Sequence, residues 1–122
     1  MSILVITKGE QEGTTFELAN RPLSLGRDPS RDIQILDQRV SRKQAMIRHD
    51  GTTHVLSPMR STNPMRLNGQ EVESDSPLND GDEIAIGETV LRFTTQTPSE
   101  YTNAVNHRKV ASRDAREANT IM

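Results

Sequence analysis

The sequence contains no cysteine, no tryptophan and only three other aromatic residues, Phe16, Phe93 and Tyr101. Without cysteine the chain can form neither disulfides nor thiolate metal sites. Its core must therefore be built mainly from isoleucine, leucine, valine and methionine. The scarcity of aromatic rings also removes the stacking platform that single-stranded nucleic acid usually requires.

Long hydrophobic runs are absent as well. The apolar run near the N-terminus, residues 3–6, ends at Thr7 and Lys8. It is too short for a signal peptide or a membrane span. With 122 residues, of which 32% are hydrophobic, the chain has room for one modest domain. We therefore expect a cytoplasmic protein without a membrane partner.

The residue patterns of metal sites and catalytic centres are missing too. His49, His54 and His107 are scattered without the spacing of metal ligands, and His54 is expected on the solvent face of a strand. No Gly-x-Ser-x-Gly element or paired histidine is present to activate a nucleophile. We expect no metal, no cofactor and no enzymatic activity, which leaves binding as the function.

The positive charges are concentrated in one stretch although the net charge is −2. Nine of the fifteen basic residues lie between Arg21 and Arg66, whereas residues 67–95 hold seven acids and a single arginine. Within this stretch, arginines stand beside serine, threonine, asparagine and glycine, a combination suited to a tetrahedral oxyanion such as phosphate. Because the zone is confined, general binding to a nucleic-acid backbone is not expected.

Short alternating apolar runs separated by turn residues predict an all-β protein. The runs are residues 23–25, 33–35, 45–47, 84–86 and 91–93. Asp50-Gly51 and Asn68-Gly69 predict tight hairpins. No segment before Pro98 shows convincing helical spacing. The pattern predicts an antiparallel sandwich or barrel.

The composition changes after Thr95. Residues 96–99 have the character of a linker, and residues 106–118 are polar, rich in alanine and arginine, and only weakly helical in pattern. We therefore predict a domain over residues 1–95 and a flexible tail over residues 96–122 that could contain a short helix.

Three motifs occur in a fixed order along the basic stretch. The first is residues 23–27, followed by residues 32–35. The second is residues 40–45. The third is residues 61–64, followed by residues 67–69. This series resembles the forkhead-associated (FHA) domain over roughly residues 3–94. The resemblance implies a β-sandwich of about eleven mostly antiparallel strands whose loops at one end bind phosphothreonine peptides.

The resemblance also implies roles for five residues. Arg27 would bind the phosphate oxygens through its guanidinium group, and Ser41 would donate its hydroxyl to the same phosphate. Arg42 would add a second charged contact, and Thr62 would lie near the phosphate. Asn63 would hold the backbone of an extended ligand through its amide.

Four further residues are implied to support these loops. Gly26 would permit a close approach of the backbone, and Asn68-Gly69 would close a hairpin that supports the second loop. Gln44 stands where the family usually has histidine. A glutamine can both donate and accept a hydrogen bond, so we expect it to brace the loops in the same way.

Two further expectations concern selectivity and the tail. Arg39 lies where the family reads the third residue after the phosphothreonine, and an arginine there would favour an acidic residue. Thr120 is a candidate phosphoacceptor whose phosphorylated tail could dock on the domain itself. Only two residues follow Thr120, so its third position would be empty, and Thr97 and Thr102 are competing acceptors.

The resemblance implies a phosphothreonine-dependent adaptor in Ser/Thr kinase signalling. The expected partner is a phosphothreonine-containing protein or peptide, such as a Ser/Thr kinase or its substrate. The alternative is a phospho-independent interaction module that uses the same loops, and the glutamine at position 44 is the feature that favours it.

Overall fold

The computed structural model describes residues 2–59 and 63–95, together with the backbone of the short strand Lys109–Val110. This part of the chain is all-β, with eleven strands before Thr95 and a twelfth at residues 109–110. The fold class predicted from the sequence, a sandwich of about eleven strands, is therefore confirmed. No helix able to cross a membrane occurs in the ranges that the structure describes.

Most strands are short, as the spacing of turn residues predicts. Their bounds are β1 Ser2–Lys8, β2 Thr15–Leu18, β3 Leu23–Gly26, β4 Ile33–Gln34, β5 Ala45–His49, β6 His54–Pro58, β7 Met65–Leu67, β8 Gln70–Glu71, β9 Ser76–Pro77, β10 Glu83–Ile86, β11 Thr89–Thr94 and β12 Lys109–Val110.

The strands form two sheets. One has seven strands in the order β12-β2-β1-β11-β10-β7-β8, and the other has five in the order β4-β3-β5-β6-β9. Neighbouring strands are antiparallel except in the pairs β3–β4 and β12–β2. Side chains from both sheets meet in one core cluster, whose fully buried members include Leu4, Ile6, Leu23, Leu25, Ile47, Leu56, Ile84 and Phe93.

The two predicted hairpins differ in their loops. Asn68 and Gly69 both have positive φ angles, 53° and 86°, and Leu67 pairs with Gln70 across them. This is the tight turn predicted for an Asn-Gly pair. Between β5 and β6 the loop is longer, because His49 pairs with His54 and residues 50–53 lie between them. A hairpin forms at Asp50-Gly51 as predicted, and a hydrogen bond from the Asp50 amide to Thr53 O at 3.0 Å closes its loop.

His54 corrects another expectation. Its side chain is buried, with 3% of its surface exposed, whereas the sequence placed it on the solvent face. The Nε2 atom lies 3.1 Å from the carbonyl oxygen of Ala19, and the ring packs edge-on to Phe93. Burial lowers the pKa of His54. The histidine is therefore a core residue with its polar edge satisfied by the backbone.

The C-terminal end of the sandwich is held at Thr95, whose backbone amide donates to the Asp80 carboxylate at 2.9 Å. Further along the chain, Lys109–Val110 pairs in parallel with β2. At these two residues the suggestion of a short helix was wrong, because they form a strand. The rest of the predicted tail lies outside the described residues.

Candidate functional site

The sheet order brings the predicted site residues to one end of the sandwich. In the five-stranded sheet β3 pairs antiparallel with β5, and β5 pairs antiparallel with β6. The end of β3, the start of β5 and the end of β6 therefore lie side by side. The segments that follow β3, precede β5 and follow β6 carry Arg27, Ser41 and Asn63 respectively.

Gly26 allows two of these segments to touch. A Cβ atom at position 26 would lie 2.1 Å from the carbonyl oxygen of Arg42 and 3.0 Å from that of Ser41. Only glycine leaves room for this approach, since no larger residue could avoid the backbone. Two hydrogen bonds use the proximity, from the Arg27 amide to Ser41 O at 3.0 Å and from the Asp28 amide to Arg42 O at 3.4 Å.

The side chain of Arg27 is exposed but oriented. Its Nε atom donates to the carbonyl oxygen of Val40 at 2.9 Å, and Val40 itself is buried. No hydrogen bond or ion pair joins its two terminal nitrogens to another residue in the described part of the chain. One edge of the guanidinium group is thus fixed while the other retains its donors for a ligand.

Gln44 connects the β4–β5 loop, which carries Ser41, to the β6–β7 loop, which carries Asn63. It is buried, with 1% of its surface exposed. Its Oε1 atom accepts from the Ser41 amide and its Nε2 atom donates to the Asn63 carbonyl, both at 2.8 Å. The backbone of Gln44 is also bonded, to Leu25 and Met59. The amide thus makes the donor and acceptor bonds that the sequence interpretation required.

The side chains of Ser41 and Asn63 are in contact. The Nδ2 atom of Asn63 donates to the Ser41 hydroxyl oxygen at 3.1 Å. A hydroxyl and an amide from different loops therefore stand together. Thr62, the remaining predicted member of this group, lies outside the described residues, as does the candidate phosphoacceptor Thr120.

Arg42 adds positive charge beside the same loops. Its side chain is exposed. Hydrogen bonds from the backbone and hydroxyl of Ser30 lower the pKa of Asp28, and the nearby charges of Arg31 and Arg42 act in the same direction. These effects favour the ionised carboxylate of Asp28 in a loop that also carries Arg27, Arg31 and Asp32.

Arg39 is placed at the rim of the site and has a partner of its own. Its guanidinium group forms an ion pair with Glu88 at 3.0 Å, and both side chains are more than two-thirds exposed. An acidic ligand residue would have to compete with Glu88 for this arginine. Exposed pairs of this kind are weak, so the competition would cost little.

Asp37 anchors the segment that carries Arg39, a role that no sequence pattern predicted. Its carboxylate accepts hydrogen bonds from the Arg39 and Glu88 amides and from the Thr89 hydroxyl, at 2.8–2.9 Å. Partial burial raises the pKa of Asp37, but these bonds outweigh that effect and lower it overall. The β4–β5 loop is thereby tied to the turn between β10 and β11.

The Asn68-Gly69 hairpin acts at a distance from the ligand loops. Asn68 donates to the Asp82 carboxylate at 2.9 Å and accepts from the Glu83 amide at 3.0 Å. These bonds fix the far end of β7 against the start of β10. The hairpin therefore positions β7, the strand that follows Asn63.

Comparison with known proteins identifies a matching family model and several similar proteins. Residues 5–97 match the family model of the cytoplasmic domain of the inner membrane component of T3SS, the type III secretion system. An oxoglutarate dehydrogenase inhibitor from Corynebacterium jeikeium is 35% identical over 92 residues, which are 75% of this chain and 63% of the relative. The chain spans about three fifths of the length of such curated relatives.

Solved structures share the fold. An FHA domain studied for phosphothreonine-dependent interactions is 27% identical and superposes with a TM-score of 0.70, covering 79% of this chain and 97% of that domain. EmbR of Mycobacterium tuberculosis, solved in complex with a low-affinity phosphopeptide, is 28% identical with a TM-score of 0.71, covering 79% of this chain and 24% of EmbR.

Proposed function

Because the chain belongs to the forkhead-associated (FHA) family, within the group described by the T3SS cytoplasmic-domain model, we propose that it is a phosphothreonine-binding adaptor. Its partner would be a phosphothreonine-containing protein in Ser/Thr kinase signalling, either a kinase or a kinase substrate. The proposal includes a cytoplasmic location, a domain over residues 1–95 and a tail over residues 96–122.

The orientation of Arg27 is the observation that carries the proposal. Its Nε atom is engaged by Val40, and its terminal nitrogens make no bond to any other described residue. A guanidinium group held in this way can donate two parallel hydrogen bonds to a phosphate. Because the side chain is already ordered, binding costs less conformational entropy. Phosphorylation of a threonine supplies the charge and acceptor oxygens that an unmodified threonine lacks.

The neighbouring residues would then contact different parts of the ligand, some the phosphate and one the peptide backbone. Ser41 would donate to the phosphate beside Arg27, and Arg42 would contribute a second positive charge. Asn63 would bind the peptide backbone, which is supported by its contact with Ser41. Thr62 remains a predicted phosphate neighbour.

The structure also bears on the phospho-independent alternative. The glutamine at position 44, where the family usually has histidine, is the sequence feature that favoured that alternative. Gln44 bonds both Ser41 and Asn63, so the loops are braced without histidine. The solved relatives, one in a phosphothreonine-dependent interaction study and one with a phosphopeptide, support the phosphate-dependent function.

Calorimetry with matched phosphothreonine, phosphoserine and unmodified peptides, drawn from a phosphopeptide library screen, tests the proposal. Arg27→Ala should weaken phosphothreonine binding at least about 100-fold, because two charge-assisted hydrogen bonds are lost. Ser41→Ala should weaken it about 10-fold, as expected for one such bond. The exposed Arg92 in β11 provides the control Arg92→Ala, which should bind normally. Equal affinity for modified and unmodified peptides would refute phosphate recognition.

A further inference from the structure

A groove of about 980 Å³ opens beside Arg27, between the β1–β2 turn and the β4–β5 loop. We call it the lateral groove. It is distinct from a smaller pocket of about 220 Å³ that is lined by Asn63 and Arg66. Arg39 lines both and so stands between them. The lateral groove therefore extends the proposed site from Arg27 on the side of Arg39 that faces away from Asn63.

Hydrogen bonds hold the walls of the lateral groove in place. Gln11, in the β1–β2 turn, donates to the Gln34 carbonyl at 3.1 Å and accepts from the Leu36 amide at 2.8 Å. Asp37 joins the next residues of the same wall to Glu88 and Thr89. Since the wall is bonded on both sides of Leu36, the groove is preformed, which reduces the entropy lost on binding.

Leu36 places an apolar surface in this groove. It is 44% exposed, and the only other large hydrophobic side chain exposed in the described ranges is Met59, at 38%. Single exposed apolar residues are common on proteins. Here, however, Leu36 lines the lateral groove together with Arg27, whereas Met59, which directly follows β6, is not part of its lining.

The charges that line the lateral groove balance each other. Its cations are Lys8, Arg27 and Arg39, and its anions are Glu10, Asp37 and Glu88. Arg39 is paired with Glu88. Once Arg27 binds a phosphate, the remaining lining carries a formal charge of −1. An acidic side chain entering the groove would meet three carboxylates and would have to compete with Glu88 for Arg39.

We propose that the lateral groove binds a segment of the phosphothreonine ligand and selects an apolar side chain that packs on Leu36. Acidic side chains are disfavoured at that ligand position. This inference rests on the proposed function and adds a specificity-determining residue to it. The apolar contact would lie on the opposite side of Arg39 from the pocket beside Asn63.

The test uses phosphothreonine peptides in which each flanking position is leucine, alanine or aspartate, measured by fluorescence anisotropy with the full chain. At one position, leucine should bind about 3- to 10-fold more tightly than alanine, as burial of a few methylene groups predicts, and aspartate more weakly. Leu36→Ser should abolish that preference, so that the leucine and alanine peptides bind with equal affinity. Met59→Ser, the matched control, should retain it.

The possible results separate the two proposals. Phosphate-dependent binding with no effect of flanking residues would overturn the groove and leave the proposed function standing, as would a preference for aspartate. A leucine preference that survives Leu36→Ser would also overturn the groove. If no phosphothreonine peptide binds at all, the proposed function fails and the groove with it.

Discussion

Gln44 shows how one buried residue can determine the arrangement of two loops. The sequence identified it as a departure from the family, and the structure has its amide between Ser41 and Asn63. Each polar group of the residue has a partner, so the amide has one energetically favoured orientation. Gly26 acts beside it by leaving space, since a Cβ atom there would overlap Arg42 O. Neither residue is expected to contact the ligand.

Replacement of Gln44 by leucine keeps a similar size but removes both hydrogen bonds. The Ser41 amide and the Asn63 carbonyl would lose their partners, at a cost of about 2–4 kcal/mol in the free energy of unfolding. Phosphopeptide affinity should fall about 10-fold or more because Ser41 and Asn63 are no longer held together. Urea denaturation and anisotropy measure the two effects.

The exposed Gln70 supplies the control for this experiment, since it lies in the edge strand β8. Gln70→Leu should change stability by less than about 0.5 kcal/mol, as is usual for a surface substitution. Wild-type affinity in Gln44→Leu would mean that the glutamine does not organise the site.

At the scale of elements, the sequence predicted what depends on local pattern and missed what depends on distant partners. Alternation was sufficient for five strands, β3, β4, β5, β10 and β11, and turn residues were sufficient for the Asn68-Gly69 hairpin. Asp37 escaped notice because its partners Glu88 and Thr89 lie about fifty residues away, at the turn between β10 and β11. Gln11 and Leu36 are also distant in sequence, 25 residues apart. A hydrogen bond between two loops produces no periodic pattern of residues in the sequence of either loop, so sequence periodicity cannot predict it.

The anchor at Asp37 predicts a pH dependence of stability. Because folding lowers the pKa of Asp37, its carboxylate stabilises the fold at pH values above about 4, the ordinary pKa of aspartate. This contribution is lost as the pH falls through the lower pKa of the folded state. The stability difference between wild type and Asp37→Asn should therefore shrink from pH 6 to pH 2.

Urea denaturation over that pH range measures the difference directly. Asp37→Asn should also loosen the β4–β5 loop, because an amide cannot accept all three hydrogen bonds as well as a carboxylate does. A stability difference that stays constant down to pH 2 would show that the charge of Asp37 is not what anchors the loop.

In the whole molecule, the acidic and basic parts of the sequence lie in different places, at sheet edges and in the ligand loops respectively. Residues 70–77 supply one of the two terminal strands of each sheet, β8 and β9, and carry Glu71, Glu73 and Asp75. Charged side chains at sheet edges oppose pairing with another chain. The ligand loops, by contrast, bring together Arg27, Arg39 and Arg42. The acidic edges and the cationic loops thus suit different tasks.

The cationic loops predict that salt slows association with a phosphopeptide. Raising the ionic strength from about 0.05 M to 0.5 M should lower the association rate several-fold, because screening weakens long-range attraction. The dissociation rate should change less, since it reflects contacts at short range. Stopped-flow fluorescence measures both rates. An association rate independent of salt would contradict electrostatic steering by these loops.

The amide at position 44 has one further consequence, for signalling in acidic conditions. A histidine in that place would gain a proton between about pH 5 and 8 and could then no longer accept a hydrogen bond from Ser41. Glutamine has no proton to gain in this interval. The receptor would thus keep one geometry while the ligand's phosphate passes through its own ionisation near about pH 6. At this position, acidity would then act through the ligand's phosphate and not through the residue that joins the two loops.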